Sequence, residues 1–405
     1  MENAARSIDG ASGRREASTP AAALARLRLV NFRSYADAAI EAAPGPVVLA
    51  GANGTGKTNC LEAISLLSPG RGLRSARLNE MQRKAPHDAQ QTGGETPFFG
   101  MSLWAVAGTV ARADGTWEVG TGLAPLNSGA NAKRVVHLNG APAQSTDFAG
   151  LAPMLWLTPI QDRLFLEGAG ERRRFLDRLV FGLDPAHARR AARYERAMRE
   201  RLRLLREGGG DAVWLDGLEE TMAAEGMALT EARWRMIEAL NGELAARGNA
   251  GSFPCAHLTL EDGLDGGGEE AALRGQLAAS RGRDDESGRT NAGPHLADLC
   301  VRHTGKRADA RDCSTGEQKA LLISMVLANA WLQKRRNEGA APILLLDEIA
   351  AHLDAQRRAA LFEEVLSLGT QAWMTGTDRS LFAPIRGRAS FFTVEAGQFV
   401  RADGQ

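Results

Sequence analysis

Alternating apolar and polar residues mark the first predicted element of the chain. In the segment ALARLRLVNF, leucines alternate with arginines over residues 26–29, and this two-residue period predicts a strand with one face in water. A short apolar run over residues 47–49 predicts a second strand. Over residues 57–67, apolar side chains recur at the spacing of one helix face. The sequence therefore predicts a strand, a glycine-rich turn and a helix in succession.

Helical periodicity dominates the middle of the chain, over residues 171–207 and 211–247. The following stretch, 261–290, holds 8 acidic and 4 basic residues with many glycines, and predicts loops around one short helix near residues 269–280. Strand and helix patterns then alternate again, and the continuous apolar run of residues 342–346 predicts a strand buried on both faces. Together these patterns predict an α/β unit interrupted by a helical insertion.

The composition is that of a globular protein in a reducing compartment. Of 405 residues, 44% are apolar and 24% are charged, which is material for two or three domains. The 49 lysines and arginines balance 49 aspartates and glutamates, so contact with nucleic acid requires a local basic patch. The four cysteines lie far apart without a C-x-x-C pair, which indicates neither a zinc site nor a disulfide framework.

The sequence disfavours membrane insertion and export. No apolar run approaches the roughly 20 residues of a membrane span, and the N-terminus lacks the apolar core of a signal peptide. We therefore expect a cytoplasmic protein with no membrane partner. Residues 1–22 are small and polar with little to bury, so we predict a disordered tail.

Residues 51–58, GANGTGKT, match the phosphate-binding motif G-x-x-x-x-G-K-[ST] between the first predicted turn and helix. The glycines let backbone N–H groups close around phosphate oxygens, and the helix N-terminus adds partial positive charge. Lys57 would neutralise the β- and γ-phosphates of ATP, and the Thr58 hydroxyl would ligate Mg²⁺. The alternative is a glycine turn that precedes a helix by chance. The predicted nucleotide-binding residues are Gly51, Ala52, Asn53, Gly54, Thr55, Gly56, Lys57, Thr58 and Asn59.

Two acidic residues, Asp347 and Glu348, follow the apolar run of residues 342–346. Ligands bind at the carboxyl ends of strands in open α/β sheets. Asp347 would hold Mg²⁺ directly or through water, and Glu348 would polarise the attacking water. An ordinary strand capped by surface acids is the alternative, and the phosphate loop upstream argues against it.

A third motif, CSTGEQK, opens a helical run about 30 residues before the acidic pair. It resembles the signature motif of ABC-type ATPases, in which a serine and a glycine at a helix N-terminus face the γ-phosphate bound by a second subunit. Its serine can cap the helix, whose free N–H groups can receive an anion. A plain capping box needs the same serine and glutamate, so both interpretations stay open. The predicted signature residues are Ser314, Thr315, Gly316 and Glu317.

The segment after Glu348 resembles the D-loop of the same superfamily, which crosses a dimer interface and here includes Asp354. Another apolar segment ends at residues 373–378, where a transporter ATPase carries its switch histidine. This chain has Thr377 or Asp378 at that position. Sensing of the γ-phosphate by a histidine is therefore not available.

These motifs, in their order and spacing, resemble those of the RecF family, bacterial recombination-mediator ATPases related to SMC proteins. The resemblance covers nearly the whole chain from about Leu24 and also rests on residues 29–35, 172–178 and 292–295. It implies an α/β fold, an ABC-type P-loop ATPase head of mixed sheets with helices, interrupted by an inserted helical lid domain. The separation of the phosphate loop from the signature motif agrees with such a lid, and no long heptad array of an SMC protein is present.

The resemblance also assigns domains and further residues. It implies one head part over residues 23–170, a mainly helical lid over 171–288, and a second head part over 289–405. It places Arg33 at the nucleotide and Gln161 as the Q-loop residue that senses Mg²⁺.

Two departures from the RecF pattern stand out. The Arg-Asp-Asp that usually follows Gly-Pro-His is replaced by residues 296–298, Leu-Ala-Asp. Residues 70–74 read Gly-Arg-Gly-Leu-Arg, which keeps both arginines of the family's Gly-Arg-Ser-His-Arg segment.

Eight arginines crowd one predicted helix within residues 189–206. A solvated, partly ion-paired helix explains such a run without any ligand. On the lid of a RecF-like head, however, DNA phosphates are expected to lie across the dimer, and such contacts are sequence-independent and sensitive to salt. We therefore predict DNA contacts from Arg190, Arg193 and Arg201.

The predicted activity is that of an ATP-driven DNA clamp with slow hydrolysis. ATP and Mg²⁺ would draw two copies together, with Lys57 and Glu348 of one copy and Ser314 of the other acting on the same nucleotide. From the resemblance, the homodimer would bind double-stranded and gapped DNA at stalled forks and help to load the RecA recombinase through RecR and RecO.

Three alternatives are left open. A transporter ATPase subunit is disfavoured by the long lid and the missing histidine. A nuclease-linked ATPase needs a catalytic domain after the acidic strand, and only 57 residues follow Glu348. A DNA-binding scaffold with a vestigial ATPase is the third.

Overall fold

The computed structural model describes residues 22–84, 95–96, 100–125, 132–208, 211–248, 252–264 and 269–402. The tail predicted for residues 1–22 lies outside the described residues, apart from Ala22. The strands of the described part are β1 (Ala23–Phe32), β2 (Tyr35–Glu41), β3 (Val47–Ala50), β4 (Glu95–Thr96), β5 (Gly100–Met101), β6 (Trp104–Arg112), β7 (Gly115–Pro125), β8 (Ala132–Leu138), β9 (Ala141–Pro142), β10 (Met154–Leu157), β11 (Ala256–Glu261), β12 (Asp298–His303), β13 (Ala308–Asp309), β14 (Ile343–Leu346), β15 (Ala372–Gly376), β16 (Ser390–Glu395) and β17 (Gln398–Arg401).

The α-helices of the described part are α1 (Lys57–Ser65), α2 (Ala169–Phe181), α3 (Ala186–Arg206), α4 (Ala212–Arg247), α5 (Glu270–Ala279), α6 (Arg281–Ser287), α7 (Thr315–Arg336) and α8 (Ala355–Leu368). None of them combines the length and the apolar character that crossing a membrane requires.

A six-stranded sheet of order β10-β14-β15-β3-β16-β17 positions the predicted site. Its strands run parallel except β17, which pairs antiparallel with β16. All four residues of β14 are buried, as its continuous apolar sequence predicts for a strand covered on both faces. Because β3, β15 and β14 are parallel neighbours, their carboxyl ends lie along the same edge of this sheet.

An antiparallel sheet of order β2-β1-β6-β7-β8-β9 covers one side of this parallel sheet. Leu29 of β1, Leu61 of α1 and Leu345 of β14 belong to one buried core. Helix α1 therefore lies between the two sheets. The alternating arginines of β1 are explained by this packing, since Leu27 and Leu29 are fully buried while Arg26 is exposed.

The other face of the parallel sheet is covered by helices. Leu322 of α7, Leu176 of α2 and Leu240 of α4 share a second core with Leu344 of β14. The three-stranded sheet β11-β12-β13 also contributes to this core. Helices of the predicted lid thus pack directly on the head.

The remaining part of the predicted lid has its own core, to which Tyr194 of α3, Met222 of α4 and Leu273 of α5 contribute. Helix α4 has 36 residues and connects the two cores, because Met222 lies in the lid core and Leu240 in the head core. The division of the chain at residues 171 and 288 stays a prediction. The N-terminal, outer half of α4, around Met222, packs in a core separate from the head, and the C-terminal, inner half, around Leu240, packs in the head core.

Sequence periodicity located most helices but not every break or strand. The helix pattern predicted over residues 171–207 forms α2 and α3, interrupted at residues 182–185. Strand β11 was not predicted. It pairs antiparallel with β12, with Ala256 opposite His303, so its partner lies far along the chain.

Candidate functional site: a phosphate loop beside an acidic strand end

The phosphate loop, residues 51–56, joins β3 to α1. Gly54 and Gly56 have φ angles of 83° and 112°, a region that favours glycine. A Cβ on Gly56 would lie 2.4 Å from Ser34 Oγ, so a side chain there would force the loop to shift. The Tyr35 hydroxyl donates to the Gly56 carbonyl oxygen over 2.8 Å. The loop is therefore held against β2 in a shape that requires the glycines of the motif.

Lys57 is the first residue of α1 and is buried inside the loop. Its Nζ donates to the carbonyl oxygens of Gly51 and Ala52 over 2.7 and 2.8 Å. Burial lowers the pKa of the ammonium, and the nearby carboxylates Glu348 and Asp347 oppose this effect. The ammonium can exchange the loop carbonyls for phosphate oxygens, which is the chemistry that the motif predicts.

The Asp347 carboxylate accepts hydrogen bonds from hydroxyl groups of two other elements. Its Oδ1 accepts hydrogen bonds from Thr58 Oγ1 over 2.9 Å and from Thr375 Oγ1 over 2.8 Å. Burial raises the pKa of Asp347, and the two hydroxyl donors oppose the rise. Carboxylate and hydroxyl oxygens are hard ligands of the kind that Mg²⁺ prefers. The residues present therefore fit the predicted metal, with Thr58 and Asp347 as its ligands.

Thr375 is a site residue that we did not predict. Leu346 pairs with Met374 across parallel strands, which makes Asp347 and Thr375 neighbours at the same sheet edge. The Thr375 hydroxyl also accepts the backbone N–H of Glu348 over 2.8 Å. The sequence signal that could have identified Thr375 is its position at the carboxyl end of an apolar segment.

Glu348 follows Asp347 in a left-handed backbone conformation with φ of 50°. This conformation costs a non-glycine residue about 1–2 kcal/mol, and such strain is concentrated at functional sites. The side chain is half-buried, and its charge acts on both Lys57 and Asp347. The carboxylate thus lies beside the phosphate loop, whereas its role as general base stays a prediction.

Arg33 buttresses helix α1. Its guanidinium donates to the carboxylate of the fully buried Glu62 over 2.9 and 2.7 Å. Arg74 reaches the same carboxylate over 3.3 Å and donates to Asn59 Oδ1 over 3.0 Å. Arg33 and Asn59 therefore lie next to the loop with protein partners, and their predicted contacts with nucleotide remain predictions.

Ser314 is the N-cap of α7 and forms a capping box with Glu317. The Ser314 backbone N–H donates to the Glu317 carboxylate over 3.0 Å, and Lys306 forms an ion pair with the same carboxylate. Chiefly through Lys306, the pKa of Glu317 is lowered to about 2. Ser314, Thr315 and Gly316 are exposed. The capping-box interpretation is confirmed as local geometry, and the contact with a second subunit stays a prediction.

Gln161 and Asp354 are engaged locally. Gln161 Oε1 accepts the Thr158 backbone N–H over 3.1 Å, and Gln161 lines a cavity together with Arg74. Asp354 is the N-cap of α8 and accepts the Arg357 backbone N–H over 2.8 Å. Neither position decides between a structural role and the predicted one.

The prediction that Arg201 contacts DNA is wrong. Its guanidinium is 0% exposed and donates to Glu219 over 2.8 Å, to Asp284 over 2.7 Å and to the Leu277 carbonyl oxygen over 2.7 Å. The reason is that α3 turns this arginine toward α4 and the α5–α6 segment. Arg201 joins the elements of the lid instead of facing solvent.

The other two predicted DNA contacts lie on the lid surface. Arg190 forms an ion pair with Asp184 over 2.6 Å, and Arg193 forms one with Glu225. The Arg193 side chain is 64% exposed. Arg190 and Asp184 are each 32% exposed, whereas Glu225 is only 13% exposed, and the DNA contacts of both arginines stay predictions.

Comparison with known proteins agrees with this geometry. Residues 23–387 match the family model described as RecF/RecN/SMC N terminal domain. A DNA replication and repair protein RecF from Rhizobium rhizogenes is 47% identical over 386 residues, which cover 94% of this chain and 98% of the relative. A RecF from Brucella suis biovar 1 is 48% identical over 383 residues, covering 92% and 94%.

Solved structures show the same fold. The recombination mediator protein RecF with ATP, of the RecFOR pathway, superposes with a TM-score of 0.76 at 23% identity, covering 96% of this chain and 100% of that chain. A Smc head domain from Pyrococcus furiosus superposes with a TM-score of 0.52 at 16% identity, covering 94% and 96%. The predicted fold class, an ABC-type P-loop ATPase head of mixed sheets and helices, is confirmed. By its family model and its close relatives, this chain belongs to the RecF family.

Proposed function

We propose that this chain is an ATP-dependent DNA clamp of recombinational repair. One copy binds ATP with its phosphate loop and Lys57, and Ser314 of a second copy completes the site. The closed pair holds duplex DNA, and slow hydrolysis, with Glu348 as general base, reopens it. Mg²⁺, held by Thr58 and Asp347, supplies neutralising charge at the phosphates when bound.

The observation that carries this proposal is the exposed first turn of α7. Apart from its chain neighbours and the backbone of its own helix turn, no described atom lies within 4 Å of a Cβ placed on Gly316. Packing within one chain therefore gives no reason for glycine at this position. Close approach of a phosphate held by another copy does give one, because the N–H groups and the helix dipole attract an anion there.

The relatives support the cellular role. Proteins 47% and 48% identical to this chain carry the name DNA replication and repair protein RecF, and the solved RecF with ATP is a recombination mediator of the RecFOR pathway. On that support, we propose that the clamp binds double-stranded and gapped DNA at stalled forks. It then assists the loading of RecA together with RecR and RecO.

The mass of the protein in solution, measured by light scattering with and without ATP and Mg²⁺, tests the proposal. Glu348→Gln should double in mass with ATP, because slowed hydrolysis traps the dimer. Lys57→Met should stay monomeric, because the phosphates lose their cation. Ser314→Arg should still bind ATP and stay monomeric.

The matched control is Ser287→Arg, which places the same side chain on an exposed serine at the end of α6. It should dimerise as the wild type does. Normal ATP-dependent dimers of Ser314→Arg would contradict the proposal, since that side chain occupies the predicted contact surface.

A further inference from the structure

A cavity of about 320 Å³ lies between the head and the first lid helix, beside Gln161, and the function proposed above uses none of the arginines that line it. Its walls are the loop of residues 72–75 after α1, the end of β10 with Trp156, and one face of α2. Three arginines line it: Arg74 from the loop, and Arg174 and Arg178 from α2. The cavity adjoins the phosphate loop, because Arg74 donates to Asn59 in α1.

Arg178 is the unusual member of this group. Its guanidinium carbon lies 3.1 Å from the centroid of the Trp156 ring, and among the described residues it has no carboxylate or carbonyl partner. The adjacent Asp177 is engaged elsewhere, since its two oxygens accept hydrogen bonds from Arg233 over 2.8 and 2.9 Å. Stacking on an aromatic ring uses the face of a guanidinium and leaves its five N–H donors at the edge.

Burial lowers the pKa of Arg178 to about 9, because few polar groups replace the water that its charge has lost. Half-buried arginines normally have carboxylate or carbonyl partners, as Arg172 does with Asp298 over 2.7 and 2.6 Å. A stacked guanidinium with free edge donors matches the way in which arginines hold phosphates. The edge donors of Arg178 thus have no protein acceptor among the described residues, and its charge is largely desolvated.

Arg174 adds a second positive charge on the same helix face. It lies four residues before Arg178, so the two side chains project from successive turns of α2. Its side chain is 63% exposed and pairs with Glu171. Like charges at this spacing repel each other unless an anion lies between them. Glu171 pairs with Arg174 and Glu62 pairs with Arg74, so Arg178 is the cavity arginine that has no ion pair among the described residues.

We propose that Arg174 and Arg178, together with Arg74, form a phosphate-binding site between head and lid. Its ligand is a phosphate group, either of the DNA backbone or of the bound nucleotide. The proposal rests on the proposed function, because both sources belong to it. The volume equals that of about ten waters, which is room for a phosphate and part of what it is attached to. A phosphate held here would join α2 to the loop after α1.

Charge-removing variants test the site. Arg174→Gln, Arg178→Gln and the double variant are made in a Glu348→Gln background. The matched control is Arg388→Gln, a surface arginine that is 54% exposed and paired with Glu363 outside the cavity. Two dissociation constants are measured for each protein: one for ATP alone, and one for a short DNA duplex with ATP at about 50 to about 200 mM salt.

Loss of a charge-assisted contact should weaken binding of one probe about tenfold in the double variant and leave the control unchanged. Weaker DNA binding with a salt slope reduced by about 0.9 per lost contact assigns the site to the DNA backbone. Weaker ATP binding with an unchanged salt slope assigns it to the nucleotide. Wild-type values for both probes in the double variant would overturn the proposal.

A third measurement separates this proposal from the proposed function. Inorganic phosphate should raise the unfolding temperature of the wild type, and the double variant should lose part of that rise while Arg388→Gln keeps it. If the wild type binds neither ATP nor DNA, the proposed function fails, and this phosphate-dependent difference alone decides the site. Should Arg178→Gln fail to fold, the exposed Arg174→Gln carries the test, because its removal leaves no buried gap.

Discussion

Thr375 shows how much of the site depends on a single hydroxyl group. It donates to Asp347 over 2.8 Å and accepts the Glu348 backbone N–H over 2.8 Å. One side chain therefore orients the carboxylate of the first acidic residue and the backbone of the second. The left-handed conformation of Glu348 is held in place by this contact.

Replacing Thr375 by valine tests that role. Thr375→Val keeps the shape of the side chain and leaves a buried carboxylate and a backbone N–H each short of one partner. We expect the free energy of unfolding to fall by about 1–3 kcal/mol and ATP turnover to fall about tenfold. Urea unfolding and a phosphate-release assay measure the two effects.

The control for this variant is Thr116→Val, at an exposed position of β7 outside the site. It should match the wild type in both assays, since no site residue depends on its hydroxyl. Equal turnover of both valine variants would show that Thr375 does not position the acidic pair.

Residue-level prediction succeeded where a motif is local. The sequence placed Lys57 and Thr58 at the start of the helix that follows the phosphate loop, because a strand, a glycine turn and a helix define this motif within a few residues. It could not select Thr375, whose importance depends on which strand lies beside β14. It also predicted that Arg201 lies on the surface, which is wrong. The carboxylates that pair with its buried guanidinium, Glu219 and Asp284, belong to other elements of the chain.

Among secondary-structure elements, α3 carries arginines of two kinds. Arg201 is fully buried between two carboxylates, whereas the Arg199 side chain is 67% exposed and, within the described part of the chain, pairs only with Glu195, one turn before it. The same residue type at neighbouring positions therefore has opposite consequences. The face of the helix on which an arginine lies, and not the number of charges near it in the sequence, decides whether its side chain is buried in an ion-pair network.

Arg201→Ala should lower the free energy of unfolding by about 3–5 kcal/mol, because it leaves the buried Asp284 carboxylate without its cation and leaves Glu219 paired with Arg281 alone. Arg199→Ala should lower it by less than about 1 kcal/mol, the range of an exposed pair. Denaturant unfolding of both variants provides the measurement. Equal losses would show that the buried network contributes no more than a surface pair.

Element-level prediction was limited by long-range pairing. The helical segments of α2 to α5 were predicted from their 3.6-residue period, which is a local property, whereas α6 forms where the sequence predicts a loop. Strand β11 was not predicted, since it is stabilised by β12 after an intervening α5–α6 segment. Local periodicity does not report a partner that lies tens of residues away.

For the whole molecule, the balance of 49 basic and 49 acidic residues leaves DNA binding to local patches. The lid offers Arg190 and Arg193, which pair with Asp184 and Glu225. A clamp of two copies would double each patch. Affinity for DNA should therefore depend on dimerisation as well as on charge.

Reversing both charges, in Arg190→Glu with Arg193→Glu, should weaken duplex binding in the presence of ATP by at least about tenfold and flatten its salt dependence. Fluorescence anisotropy at several salt concentrations measures both quantities. Arg388→Glu on the head is the control and should behave as the wild type. An unchanged salt slope in this double variant would show that the two arginines do not contact DNA.

The order of the motifs was enough to predict the fold class of the whole chain. The way in which head and lid are joined was not predictable, because it depends on which core each half of α4 enters. Amphipathic spacing along a helix identifies a buried face but not the neighbour that buries it.

The length of helix α4 determines how far a change in its tilt displaces its outer end. Its 36 residues form a rod about 54 Å long with one end seated in each core. A tilt of about 5° at the inner end carries the outer end through about 5 Å. A small change in how the inner end packs on the head is thus amplified into a larger displacement of the lid core around the outer end.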